Sequence, residues 1–319
     1  MFSSIDKAGK VIERELGRYP WTNVYGVARS LLALGTLLTL ALNQNQILFR
    51  PASGITDFPV CQDLGVIGIF CLLRSNLEIA RWVAIGILFL VLIGWRPRYT
   101  AILHWWVSFS LQTSAITVDG GDQVTSVLTL LILPIALLDN RKWHWSNKVS
   151  EPREFSFKDS IKRLISISTF YVIRFQVCII YFHAATAKLA GEEWLDGTIL
   201  YYWFTDPIIG LPNWLKFLTP IFTTPLVSII TWLSLITEIV LFMALFLPRE
   251  KWKFPLILGI TFHILIALTM GLISFGLAMT AALILYLRPF DCGFVFFERM
   301  FLSAGSFIQL KTSSEVRQA

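Results

Sequence analysis

Residues 175–202 read FQVCIIYFHAATAKLAGEEWLDGTILYY, and the organisation of the chain turns on them. An apolar helix carries His183 and Lys188 toward its C-terminal end, then breaks at Gly191 into an acidic, aromatic loop. Placing a lysine at the centre of a bilayer costs roughly 2.5–3.5 kcal/mol on insertion scales, so a lysine in such a helix needs a cause. Two causes stand open. Lys188 lies within a turn of the helix end, where a long cationic stem can reach up to the headgroups. Alternatively, it serves a site inside a bundle.

The composition sets the solvent. The 319 residues are 55% hydrophobic and 15% charged, with a mean hydropathy of +0.65. Soluble domains carry about 25% charged residues, so an integral membrane protein is expected. A net charge of +6 with a pI near 9.2 invites a nucleic-acid partner. In a membrane protein, however, excess Lys and Arg mark cytoplasmic loops, and no nucleic acid is expected. Trp21, Trp82, Trp95, Trp143, Trp145, Trp194 and Trp252 fall near the ends of apolar runs, as an interfacial aromatic belt requires.

The apolar runs predict spans at 24–42, 82–95, 99–118, 124–138, 164–189, 226–247, 254–270 and 276–287. The run 64–73 is too short to cross a core of roughly 30 Å and reads as an interfacial or re-entrant helix. The fold class is therefore all-α, with about eight transmembrane helices in one bundle and both termini cytoplasmic. Residues 139–163 form a basic loop that the positive-inside rule places in the cytoplasm, as it does Arg249, Lys251 and Lys253. The outer loops are then 43–81, 118–123 and 190–225; only Arg74 and Arg81 disagree in sign. The expected organisation is a cytoplasmic segment 1–23, a membrane domain 24–290 and a cytoplasmic tail 291–319, which ends KTSSEVRQA. Cys61 and Cys71 both fall outside, but a rigid helix between them would hold them too far apart to bond.

The fifth span carries its polar residues on two sides. Arg174, Tyr181 and Lys188 share one stripe at seven-residue spacing, while Gln176 and His183 lie opposite. Such a helix is expected at the bundle centre, with Ala184, Ala185, Thr186 and Ala187 allowing close approach. Arg174, about 21 Å below Lys188, needs a partner. Glu238, deep in the sixth span, is expected to pair with Arg174 or with Arg29, which otherwise snorkels. His263 reads as a hydrogen-bonded bundle residue or a site residue. No metal site is expected, since His183, His263 and the carboxylates lack ligand spacing. No repeat and no P-loop, CxxC, HExxH or GxSxG motif is present.

At YFHAATAKLAGEEWLDGTILYYW the chain resembles the HTTM membrane domain, the fold shared with vitamin K-dependent γ-carboxylase. FHILIALTMGLISFGLAMTAALILYL and the DGGDQ turn at 119–123 fit the same pattern. Within that superfamily GVARSLLALGTLLTLALN, LFRP, GGDQVTSVLTLLILP and KLAGEEWLDGTILYYW resemble the sporulation-delaying-protein B family. These are bacterial multipass proteins of the plasma membrane needed to mature a secreted antimicrobial peptide, acting beside a small partner protein.

The resemblance implies a toxin precursor peptide, that partner protein and membrane lipid as partners. It nominates Lys188, Asp122 and His263 as catalytic candidates, supported by His183, Tyr181, Trp194, Asp196, Gly197, Gln123 and Glu238. In the carboxylase the lysine matching Lys188 is the base toward a quinol, and a histidine stands where this chain has Asp122. No counterpart of the carboxylase's propeptide-binding region follows the eighth span, so glutamate carboxylation is not expected. The cofactor stays unassigned. A maturation factor and a membrane enzyme acting on a quinone, lipid or peptide at Lys188 both remain open.

Overall fold

Among the described residues eight long helices follow one another in the order expected. They are α1 (Asn23–Leu42), α2 (Leu77–Leu92), α3 (Pro97–Ser114), α4 (Gly120–Leu137), α5 (Phe157–Leu189), α6 (Leu226–Met243), α7 (Lys253–Met270) and α8 (Ile273–Leu287). The computed structural model describes residue 9 and residues 13–296, apart from 52–53, 55–56, 117, 147–155 and 208–209. Lys148, Arg153 and the tail KTSSEVRQA lie outside the described residues. Local chemistry sets the helix ends. Thr22 caps α1 by accepting from the Val24 amide, and Asn76 caps α2 by accepting from that of Ile79. Pro97 opens α3, and α7 stops at Gly271, whose φ of 73° suits a residue without Cβ.

Among the described residues six helices are long and apolar enough to cross a membrane, which marks a multipass membrane protein. The other two fall short for different reasons. α3 is studded with Thr, His, Ser and Gln, and α8 has only 15 residues. α5 begins at Phe157, so Lys158, Lys162 and Arg163 belong to a helix and not to the loop expected there.

The centre of the bundle is α8, not α5. From Ala281 to Leu287 every residue of α8 is buried, and the helix packs against α1, α4, α5 and α7. A short helix ringed by protein does not have to match the bilayer thickness. α5 instead buries one stripe, including Phe170, Arg174, Tyr181 and Ala185, and exposes Tyr171, Val172, Phe175 and Phe182. His183 is exposed on that outer side. It sits about 9 Å from the helix end, shallow enough to reach the interface without protein cover.

The run 64–73 is two short pieces, not one rigid helix. A 3-10 turn (Asp63–Ile67) and a helical turn (Ile69–Leu72) meet at an extended Gly68. A Cβ on Gly68 would sit 3.0 Å from both the Gly65 carbonyl and Ser110 Oγ, and that serine accepts from the Ile69 amide. The break folds Cys61 back to a Cα–Cα distance of 5.7 Å from Cys71, and the two form a disulfide, contrary to expectation.

At the opposite end the loop after α4 plugs the bundle. Asp139 accepts from the Tyr25 hydroxyl and pairs with Arg141 at 2.8 Å. Arg141 also donates to the Ser146 and Thr22 carbonyls. His144 is fully buried, beneath Gly94, where a Cβ would fall 2.4 Å from its ring. Arg29 neither snorkels nor meets Glu238. It is buried, donating to Thr100 Oγ1 at 3.1 Å, with His144 Nδ1 at 3.4 Å. Burial first, then the charges of Arg29 and Arg141, hold the His144 imidazole well below its usual range.

Candidate functional site

Lys188 turns downward. Side chains on a helix lean toward its N-terminus, and on α5 that direction leads into the bundle. Its Nζ lies 2.7 and 2.8 Å from the two carboxylate oxygens of Glu238 on α6. The pair is largely enclosed, with side-chain exposures of 21% for Lys188 and 8% for Glu238. The Trp194 ring covers Nζ at 5.0 Å from its centroid. Glu238 therefore pairs with neither Arg174 nor Arg29. Arg174 lies lower, its guanidinium 4.8 Å from the Trp252 ring centre and flanked by Tyr171 and Phe290. Rings flank that cation where a carboxylate was expected, and its Nη2 lies 3.5 Å from the Arg288 carbonyl.

Below the ion pair a second contact crosses the bundle. The Tyr181 hydroxyl of α5 and His263 Nε2 of α7 are 3.0 Å apart, and both residues are buried. Tyr181 is within electrostatic reach of Glu238, and His263 of Lys188. The other ring nitrogen, His263 Nδ1, has no hydrogen-bond partner among the described residues. Three helices thus bring Lys188, Glu238, Tyr181 and His263 into one cluster, of which only Lys188 and Tyr181 share a sequence stripe.

Asp122 stands one layer away. It forms a reciprocal cap with Asp119 at the start of α4, accepting from the Asp119 amide at 3.2 Å. Asp119 Oδ1 takes the Gly121 amide at 2.7 Å, and Oδ2 takes the Ser274 hydroxyl at 2.8 Å. A Cβ on Gly121 would sit 2.5 Å from Phe275 Cα, so glycine lets this turn press onto α8. The Phe275 ring lies between, 5.4 Å from the His263 ring.

The remaining candidates divide. Trp194 belongs to the cluster. Gly197, at φ 81°, closes a turn so tight against α6 that a Cβ would sit 2.6 Å from that of Ser228. Asp196 caps the same turn by accepting from the Thr198 amide at 2.9 Å. Trp232 and Thr231 of α6 donate to the Leu195 and Gly197 carbonyls. Asp196 and Gly197 thus fasten the loop that carries Trp194 over Lys188. His183 and Gln123 are exposed and outside the cluster. The sequence reading missed the Lys188–Glu238 pairing and the whole Asp139–His144 plug.

No family model matches the chain, and no solved structure matches it. Two curated proteins of Bacillus subtilis (strain 168) do. YitO, described as uncharacterized, is 45% identical over 291 residues, 90% of this chain and 92% of its own length. The sporulation-delaying protein SdpB is 42% identical over 275 residues, 85% of this chain and 82% of its own. Identity at that level over nearly the whole of both partners takes in every helix that builds the Lys188 cluster. The chain belongs to the family of the sporulation-delaying protein SdpB.

Proposed function

We propose that this chain is the multipass membrane component of a bacterial system that produces a mature secreted antimicrobial peptide. The carrying observation is the 42% identity to SdpB across most of both chains. It acts in the plasma membrane, with eight spans and both termini cytoplasmic, beside a small partner protein and on a toxin precursor peptide. Cysteine labelling checks this topology: an external reagent reaches probes at Gly120 and Glu192, and a probe at Asn147 reacting in intact cells overturns it. Deleting the gene abolishes mature peptide while the precursor is still made. Normal output of mature peptide from the deletion strain overturns the role.

A second reading, chemistry at Lys188, draws on the bidentate contact with Glu238. A lysine already matched by a buried carboxylate is a poor receptor for another carboxylate. It is well placed to exchange a proton, because the pair can pass between charged and neutral forms without changing its net charge. The HTTM likeness agrees with this role, and the acceptor is then a quinone, a lipid or a group on the peptide.

A further inference from the structure

α3 carries Thr100, His104, Ser108 and Gln112 at four-residue spacing, a ridge that climbs about 18 Å. Thr100, His104 and Ser108 are each at least 98% buried. Three atoms on the ridge, His104 Nε2, Ser108 Oγ and Gln112 Oε1, meet no hydrogen-bond partner among the described residues. One buried orphan is tolerable; three in a row along one helix, in a setting without bulk water, call for a ligand.

The packing shows where the ridge faces. α1, α2, α3 and α4 pack as neighbours around a ring, α1 on α2, α2 on α3, α3 on α4 and α4 on α1. α1 and α3 are diagonal, bridged by Arg29 and Thr100. Buried Thr36 lies seven residues beyond Arg29 on α1, and α4 adds buried Asp122, Thr125, Ser126 and Thr129. α3 and α4 are antiparallel, tied at one end by Arg98 Nε on the Leu137 carbonyl at 2.8 Å. Equal rise along both helices sets Ser126 level with Ser108 and Asp122 level with Gln112. The apolar core divides here: Ala101, Ala28 and Leu32 belong to one cluster, and Val107, Leu111, Ala33 and Leu40 to another.

We propose that this ridge holds a file of water molecules, reached from the Asp122 end and closed at the other by Arg29. The ligand is neutral and small. Between Thr100 and Gln112 the ridge offers hydroxyl, imidazole and amide groups but no carboxylate to hold a resident cation, and the fixed charge of Arg29 disfavours one at the closed end only. The closure is steric as well, since Gly26 and Gly94 each press so close to His144 that a Cβ would fall within 2.8 Å of it. A file blocked by arginine hydrates the interior, and lets protons move along it from Asp122, without short-circuiting the membrane.

Radical footprinting of the unmodified protein in nanodiscs tests the file without a mutation. His104 is oxidised several-fold faster than His144, whose two ring nitrogens are already engaged by Arg29 and Ser30. Single thiols provide the second measurement, placed in a Cys178→Ser, Cys292→Ser background that keeps the disulfide. Silver ions added from the Asp122 side block the Ser108→Cys and Gln112→Cys thiols several-fold faster than a thiol at lipid-facing Ile102. Equal oxidation of His104 and His144 overturns the water file. Silver reaching position 108 from the Arg29 side overturns its closure.

Discussion

Both ends of this bundle bury ion pairs, and they are built to opposite standards. At the Asp139 end the acid is bonded by Tyr25 and Arg141, and Arg141 is shared with two backbone carbonyls. The contacts knit residues 139–146 together and tie them to Thr22 and Tyr25 at the start of α1. At the Lys188 end one ion pair stands beside a histidine with a nitrogen unpartnered, under a single indole lid. The Asp139 pair is the more deeply buried, at 10% and 1% exposure against 21% and 8%, and it is also the more fully bonded. A saturated network resists change, whereas an incompletely satisfied one keeps a proton or a ligand position available.

Breaking the saturated end has the largest effect. Asp139→Ala leaves Tyr25 without its acceptor and Arg141 without its counter-charge, and removing one partner of a buried pair costs about 3–5 kcal/mol. The expected outcome is loss of monodisperse protein on detergent gel filtration, with peptide maturation lost only because the fold is. An Asp139→Ala protein that purifies with unchanged melting temperature refutes the structural role of this network.

Breaking the other end separates stability from activity. Lys188→Met leaves Glu238 unpaired, but a carboxyl can take up a proton, so the cost is limited to about 1–3 kcal/mol. Lys188→Arg keeps the charge and the contact but cannot give up its proton near neutral pH. Both variants insert, and both fail to yield mature peptide. Full activity in Lys188→Arg excludes proton transfer, and full activity in Lys188→Met makes the lysine a structural counter-ion.

How much of this was legible varies by scale. The succession of apolar helices and the tight DGGDQ turn were readable because apolar runs and Asp-Gly turns are local signals. Glu238's partner was not, because the choice among Arg29, Arg174 and Lys188 depends on how far α5 and α6 slide past each other, which no single-helix pattern records. Arg174 misled for a related reason: its partners are the rings of Tyr171, Trp252 and Phe290, drawn from three segments. The Cys61–Cys71 bond is hidden in the sequence because the apolar run reads as one helix, and only the extended backbone at Gly68 breaks it. The polar ridge on α3 was visible as Thr100, His104, Ser108 and Gln112 and went unread as a ridge.

A pH series sharpens the contrast from the saturated side. His144 is held neutral in the fold, its pKa depressed by burial and then by Arg29 and Arg141. The unfolded chain takes up that proton near the ordinary histidine value of about 6.5, so below it the unfolded state binds more protons. This contribution is fully present above that pH and falls away as pH drops toward the folded-state pKa. The melting temperature of purified protein should decline on acidification from neutrality, and less so in His144→Gln. An identical slope in the variant removes His144 as the cause.

The smallest effect discriminates best, because it compares two tyrosines doing similar mechanical work. Tyr181 meets His263 Nε2, while Tyr286 donates to the Leu241 and Phe242 carbonyls at 3.1 and 3.3 Å. Each tyrosine→Phe change removes a buried hydroxyl, with one contact for Tyr181 and a bifurcated one for Tyr286, at a cost of about 0.5–1.5 kcal/mol. Stability alone therefore treats the two alike. If the Lys188 cluster passes protons, Tyr181→Phe also removes the hydrogen bond at His263 Nε2 and cuts the rate of peptide maturation, while Tyr286→Phe leaves it unchanged. Melting temperatures and maturation rates measured side by side separate the cases. Equal losses of stability with equal maturation in both variants reduce Tyr181 to a packing residue and confine any chemistry at this end to Lys188 and Glu238.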